Sequence, residues 1–158
     1  MAATLFQVLD ALEVASKAHE GQVYHLSDGV EPYINHPVRL AMKFADPVLQ
    51  KIALLHDTVE DTKLTLDEIR EQFGDRVADG VDFLTRRPGE LYLSRYIPRL
   101  MKNADAVEVK LADLDDNMTH GRMDPERYHS LLVRYERARQ LILKLKVAQT
   151  IDPPLVVN

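Results

Sequence analysis

Apolar side chains along this chain recur at the three-and-four spacing of amphipathic helices. Leu5, Val8, Leu9, Leu12, Ala15 and Ala18 predict a helix over 4–19. Val38, Ala41, Met42 and Ala45 predict another over 37–45, opened by His36-Pro37 because proline suits a first helical turn. Pro47 starts a third helix, whose Ile52-Ala53-Leu54-Leu55 is apolar on every face and therefore buried, and which runs to the end of residues 56–61. Thr65 with Glu68 reads as a capping box for a short helix carrying Leu66, Ile69 and Phe73. Gly74 separates that helix from one with Val77, Val81 and Leu84, and Arg86-Arg87-Pro88-Gly89 forms a basic turn. Leu93, Tyr96, Ile97, Leu100 and Met101 predict the next helix, with a kink or fresh start near Pro98. A helix over 104–118 follows, then a long final one capped by Asp124-Pro125 and carrying Tyr128, Leu131, Leu132, Tyr135, Ala138, Leu141, Ile142 and Leu145. Between Gly21 and Pro37 the turn-forming Asp28-Gly29 and Pro32 predict a loop, and no segment alternates as a strand should. The expectation is an all-α, single compact multi-helix domain over residues 1–150, with 151–158 as a tail.

The pattern changes character at His56-Asp57-Thr58-Val59-Glu60-Asp61, where an imidazole and three carboxylates follow the most apolar run of the chain. If that helix continues, His56 and Asp57 project about 100° apart and can converge on one ion, and Glu60 and Asp61 repeat the pair one turn on. Burying carboxylates beside a histidine is costly unless a cation or hydrogen bonds compensate. Charged residues also gather at helix ends for solubility alone, and both readings stay open on the hexapeptide. Residues 104–118 pose the same choice. Val107, Leu111, Leu114 and Met118 form an apolar stripe beside a polar one of Lys110, Asp113 and Asn117, which faces either solvent or a wet cleft.

Composition narrows the chemistry. With no cysteine, metal ligands are confined to His, Asp, Glu and neutral oxygen donors, a set that suits Mn²⁺, Fe²⁺, Zn²⁺ or Mg²⁺. A net charge of -5 argues against general nucleic-acid or acidic-membrane binding but leaves room for a small anion in a local basic pocket. No apolar run approaches a membrane span, and Met1-Ala2-Ala3-Thr4 lacks the basic-then-apolar pattern of a signal peptide, so a cytoplasmic location is expected. Glycine-rich phosphate loops, Gly-x-Ser-x-Gly elbows and His-Glu-x-x-His are missing, which removes three common enzyme classes.

Taken together, the order His36, His56-Asp57, Asp113 resembles the H…HD…D signature of the HD phosphohydrolase superfamily. The phrases Ala18-His19-Glu20-Gly21-Gln22, Pro32-Tyr33-Ile34-Asn35-His36-Pro37, Leu55-His56-Asp57-Thr58-Val59-Glu60-Asp61 and Val109-Lys110-Leu111-Ala112-Asp113 look like the hydrolase domain of RelA/SpoT-type enzymes and their stand-alone relatives, the small alarmone hydrolases. The resemblance runs from about residue 4 to 145. It implies that His36, His56, Asp57 and Asp113 hold Mn²⁺ or another divalent metal, that Glu60 and Asp61 are the catalytic pair that activates water and manages protons, and that Asn117 lies near the substrate. The reaction it implies is removal of the 3′-pyrophosphate from guanosine tetra- or pentaphosphate, ppGpp or pppGpp. Another nucleotide is the alternative substrate: an adenosine alarmone, a nucleoside phosphate or NADPH. A catalytically silent nucleotide-sensing module is the reading from another class, and the intact Glu60-Asp61 pair argues against it.

Two departures stand out. Where the family usually has Arg-Lys after Gly-Gln-Val, this chain has Tyr24-His25, from which Tyr24 is expected to stack on a base and His25 to meet phosphate. Where the family usually has Asp-Arg-x-His-Asn, it has Asp113-Leu114-Asp115-Asp116-Asn117, and the added acid is expected to weaken polyphosphate binding. Lys110, Arg86, Arg87, Arg95 and Arg99 are candidate anion contacts, most of them expected to be solvated surface. Tyr135, between Arg134 and Arg137, can reach a substrate from the last helix. His19 is expected to pack near the loop, His129 to lie on the surface, and Tyr33 and Tyr96 to be core or cleft wall.

Overall fold

A computed structural model describes residues 2–26, 28–120 and 125–151. Helix α1 spans Ala2–Ala18 and is followed by a two-stranded antiparallel hairpin, β1 (Val23–Leu26) and β2 (Gly29–Pro32). Next come α2 (Asn35–Ala41), α3 (Pro47–Leu55), α4 (Thr58–Asp61), α5 (Leu66–Phe73) and α6 (Asp75–Leu84). A π-helical turn, Tyr92–Tyr96, leads into α7 (Ile97–Leu100), then α8 (Ala104–Thr119) and α9 (Pro125–Ile151). The fold is helical, as the sequence periodicity requires. Asp124, expected to cap the last helix, and the tail beyond Ile151 lie outside the described residues.

Helix α3 is the hub. It touches α1, α2, α6 and α8, so Ile52, Ala53, Leu54 and Leu55 are all buried, and an all-round apolar helix is what four neighbours demand. Asp46 caps it, its carboxylate accepting the Val48 N–H at 2.8 Å. Close approach of α6 depends on Gly80, where a Cβ would stand 2.5 Å from Ile52 Cδ1. The Thr65–Glu68 capping box forms as expected, and Gly74 joins α5 to α6 at a φ of 86°. Around this hub, Leu40, Ile69, Val77, Val81, Ile97, Leu100, Leu114 and Ile142 complete the core.

Three local expectations differ from the structure. The stretch read as a loop contains the hairpin, with Tyr24 opposite Glu31 and His25 opposite Val30. Its strands have four residues each, and in β1 Tyr24 is buried and Leu26 half-buried on the same face, too short an alternation to register as a strand signal. Helix α2 ends at Ala41 rather than 45, because the Lys43 and Phe44 N–H groups fold back onto the Leu40 and Ala41 carbonyls in a tight last turn. The third helix also stops early. The Thr58 hydroxyl takes the Leu55 carbonyl at 2.7 Å, competing with the helical ladder, and the Asp61 N–H restarts it on Asp57. Pro98 behaves as anticipated. It sits in the first turn of α7, directly after the π-helical turn that accommodates its missing N–H.

Candidate metal centre and cleft

The break between α3 and α4 presents His56 and Asp57 together. His56 is buried, its Nδ1–H donating to the Ala53 carbonyl at 2.8 Å, which leaves Nε2 directed at Asp57 Oδ2, 2.9 Å away. Tyr33, just before α2, donates its hydroxyl to the same Asp57 oxygen. From α2, His36 reaches the group with its ring 5.3 Å from that of His56. From α8, Asp113 places Oδ1 3.2 Å from His36 Nε2 and 3.8 Å from His56 Nε2. Residues up to 77 positions apart in sequence are thus brought together, with Asp113 beside the two histidines but outside the tight group that His36, His56 and Asp57 form.

Lys110, Asp113 and Asn117 resolve the ambiguous polar stripe: they face the cleft. Lys110 Nζ lies 2.6 Å from Asp113 Oδ2 and under 6 Å from the ring centres of Tyr92 and Tyr96. Asn117 donates to Asp113 Oδ1 and accepts the Tyr24 hydroxyl at 2.9 Å. Burial disfavours charge on Asp113, but Lys110 and the two histidines outweigh it and hold the carboxyl well below its usual range. His56 shows the converse. Burial alone lowers its pKa, yet Asp57 and Asp113 push it up to about 10.

These couplings amount to a test of metal fit. Without a cation, Asp57 and Asp113 raise the pKa of His56 against the effect of burial, Asp113 and Asp116 do the same for His36, and the buried His56 Nε2, though 2.9 Å from Asp57 Oδ2, makes no well-directed hydrogen bond among the described residues. Nitrogen and oxygen atoms of His36, His56 and Asp57 lie within 4.8 Å of one another, a spread that one divalent ion spans. The donor set fits such an ion.

Above this floor opens a cleft of about 390 Å³. Glu60 and Asp61 lie on its wall with Arg86, Lys110, Tyr92, Arg134 and Tyr135. Glu60 accepts the Arg86 backbone N–H at 2.9 Å. Burial, with Asp57 and Glu60 nearby, pushes the Asp61 carboxyl up to about 6. Arg99 is not solvated surface: it pairs with Glu90 and donates to the Thr85 carbonyl. Arg87 pairs with Asp82, and Arg95 is exposed away from the cleft.

No family model matches the chain. Individual relatives do. A guanosine-3′,5′-bis(diphosphate) 3′-pyrophosphohydrolase of Haemophilus influenzae is 37% identical over 129 residues, covering 72% of this chain and 19% of that protein. The human protein named guanosine-3′,5′-bis(diphosphate) 3′-pyrophosphohydrolase MESH1 is 33% identical, covering 89% of this chain and 85% of the relative. The chain belongs to the RelA/SpoT-type HD hydrolase family. It spans only 15% to 19% of the length of bacterial relatives such as those of Haemophilus influenzae and Streptomyces coelicolor. A solved structure described as a metazoan ortholog of SpoT that hydrolyses ppGpp shares the fold, with a TM-score of 0.73, 24% identity and coverage of 94% of this chain and 97% of that one.

Both sequence departures of this HD hydrolase look different in three dimensions. Tyr24 turns inward, its ring stacked on His36 at 4.9 Å and 11°, so its face is not free for a base. His25, the next residue, is exposed at the cleft rim. In the second departure Leu114 is core, Asp115 pairs with Lys43 outside, and Asp116 is buried against His36 and Arg39. None of the three lines the cleft, so none of them touches a polyphosphate bound there. His19 packs on Tyr33 and bonds Gln22, and His129 is exposed, as expected. Tyr92 and Arg39 carried no sequence signal. Tyr92 lies in a helix of irregular pitch, and Arg39 finds its partner 77 residues away.

Proposed function

We propose that this HD hydrolase removes the 3′-pyrophosphate from guanosine tetra- or pentaphosphate, giving GDP or GTP and pyrophosphate, with Mn²⁺ as its metal. The observation that carries the reading is the convergence of His36, His56, Asp57 and Asp113 beneath a cleft whose wall bears both acids, Glu60 and Asp61, and fixed cations, Lys110, Arg86 and Arg134. The names and coverage of the relatives support it.

A divalent ion held by that cluster supplies Lewis-acid polarisation of a phosphoryl oxygen and makes water more acidic. The protein's own groups do the rest. Asp61, ionised above about pH 6, stands ready to take a proton from the attacking water. Glu60, fixed by the Arg86 N–H, helps hold that water in line. The water oxygen bonds to the phosphorus as the bond between that phosphorus and the 3′ oxygen breaks, and the leaving sugar oxygen takes up the proton that Asp61 accepted. Arg86 and Arg134 offset substrate charge along the cleft, His25 at its rim can hydrogen-bond a phosphate, and Asn117, locked between Tyr24 and Asp113, gives a fixed amide beside the reacting phosphate. Local cations thereby allow a protein of net charge -5 to hold a polyanion.

The test is a substrate panel of ppGpp, pppGpp, their adenosine counterparts, NADPH and simple nucleotides, assayed with Mn²⁺ and with chelator. Chelator-sensitive pyrophosphate release from ppGpp is expected. Turnover of another member with silence on ppGpp transfers the assignment to that substrate, and silence on all of them contradicts hydrolysis.

A further inference from the structure

Asp116 is 1% exposed, and four side-chain nitrogens crowd around it. His36 Nδ1 lies 2.7 Å from Oδ2, Arg39 Nε 2.9 Å from Oδ1 and 3.3 Å from Oδ2, Arg39 Nη2 3.0 Å from Oδ2, and His120 Nδ1 3.1 Å from Oδ1. The shortest of these contacts is to His36. Asp113, three residues earlier on the same helix, faces the other nitrogen of that ring at 3.2 Å. One turn of α8 therefore straddles the imidazole, and Tyr24 stacked on its face fixes the ring plane.

We propose that Asp116 is a positioning residue for the metal centre: it keeps the proton of His36 on Nδ1, behind the ring, so that Nε2 is the nitrogen offered to a divalent cation. This rests on the metal reading above. A carboxylate behind a ligating histidine fixes both tautomer and orientation and raises ligand basicity. An ion pair serving packing alone needs only Arg39, which already reaches Asp116 through two nitrogens. Arg39 has a different part. It bonds Glu31 on β2 as well, so one guanidinium is shared by two carboxylates, offsetting one of their two charges and tying the hairpin to α8. The acid that departs from the family's usual histidine thus works on the metal side of the site rather than against the substrate.

The experiment combines ¹H–¹⁵N spectroscopy of the histidine side chains in metal-free protein with titration of free Mn²⁺ by paramagnetic resonance. The wild type is expected to show a hydrogen-bonded, slowly exchanging proton on His36 Nδ1. Asp116→Ala is expected to lose that signal and bind Mn²⁺ about 10- to 100-fold more weakly. Asp116→Asn, whose amide oxygen still accepts from Nδ1, should retain the signal and recover most of the affinity, while Asp115→Asn behaves as wild type. Should Asp116→Ala not fold, Asp116→Asn decides: loss of the Nδ1 proton there overturns the proposal and its retention supports it. Mn²⁺ affinity of folded Asp116→Ala within about twofold of wild type overturns the positioning role alone. Wild type that binds no Mn²⁺, with the Nδ1 proton in place, overturns the metal reading itself and the positioning role with it.

Discussion

Glu90 does not line the cleft, yet its loss should reach Glu60. Its carboxylate receives Arg99 Nε and Nη2, both at 2.8 Å, and the Arg87 N–H at 3.0 Å, while Arg99 also donates to the Thr85 carbonyl. Together they clamp the turn over 85–90 onto α7. The Arg86 N–H that holds Glu60 belongs to that turn. The Arg99 guanidinium lowers the Glu90 carboxyl from 4.5 to about 2. A shift of that size is worth at most about 3 kcal/mol, and solvent at the rim reduces it to roughly 2. The stabilisation is complete above the unfolded value of 4.5, declines as pH falls, and vanishes below 2; roughly two fifths is gone by pH 3.5. Glu90→Gln should therefore unfold in urea about 2 kcal/mol more easily than wild type at pH 7, with a smaller gap at pH 3.5. Its turnover should fall while Mn²⁺ affinity stays unchanged. A gap under about 0.5 kcal/mol at pH 7, or one of equal size at both pH values, would refute the clamp.

Gly80→Ala forces a methyl group to 2.5 Å from Ile52 Cδ1 and should cost about 1–3 kcal/mol, read as a lower urea midpoint; an unchanged midpoint would show that α3 and α6 can separate freely. Asp61, raised from 3.8 to about 6, is a group whose ionisation costs stability: the penalty appears as pH rises from 3.8 and is complete above 6. Asp61→Asn should thus be more stable than wild type at pH 7.5, equal to it below pH 4, and strongly impaired in turnover, as stopped assays and melting curves will report. Wild-type turnover in that variant would remove Asp61 from the chemistry.

The helices were legible because their signal is local. Leu66, Ile69 and Phe73 with the Thr65–Glu68 box, or the all-apolar Ile52–Leu55 run, each declare a helix within a dozen residues. His56-Asp57 and Glu60-Asp61 stood out as candidates for the same reason. Their setting was not: a backbone break made by the Thr58 side chain leaves the apolar periodicity on either side intact. The hairpin was hidden because strands of four residues, with only Tyr24 and Leu26 on the inner face of β1, give too little alternation to count. Arg39 and Asp116 lay further out of reach. Each reads as an ordinary helical surface charge until α2 and α8 pack together and bury Asp116 behind His36. The polar stripe of Lys110, Asp113 and Asn117 was visible, but only the position of α8 against α2 and α3 turns it toward the cleft.

The most direct measurement is pyrophosphate release from ppGpp by metal-depleted protein as Mn²⁺ is restored, run beside His56→Ala. Activity that rises from baseline to a plateau in the wild type and stays at baseline in the variant is the predicted result. Equal release by both proteins, or release indifferent to the metal, would contradict the assignment of this cluster as the reaction centre.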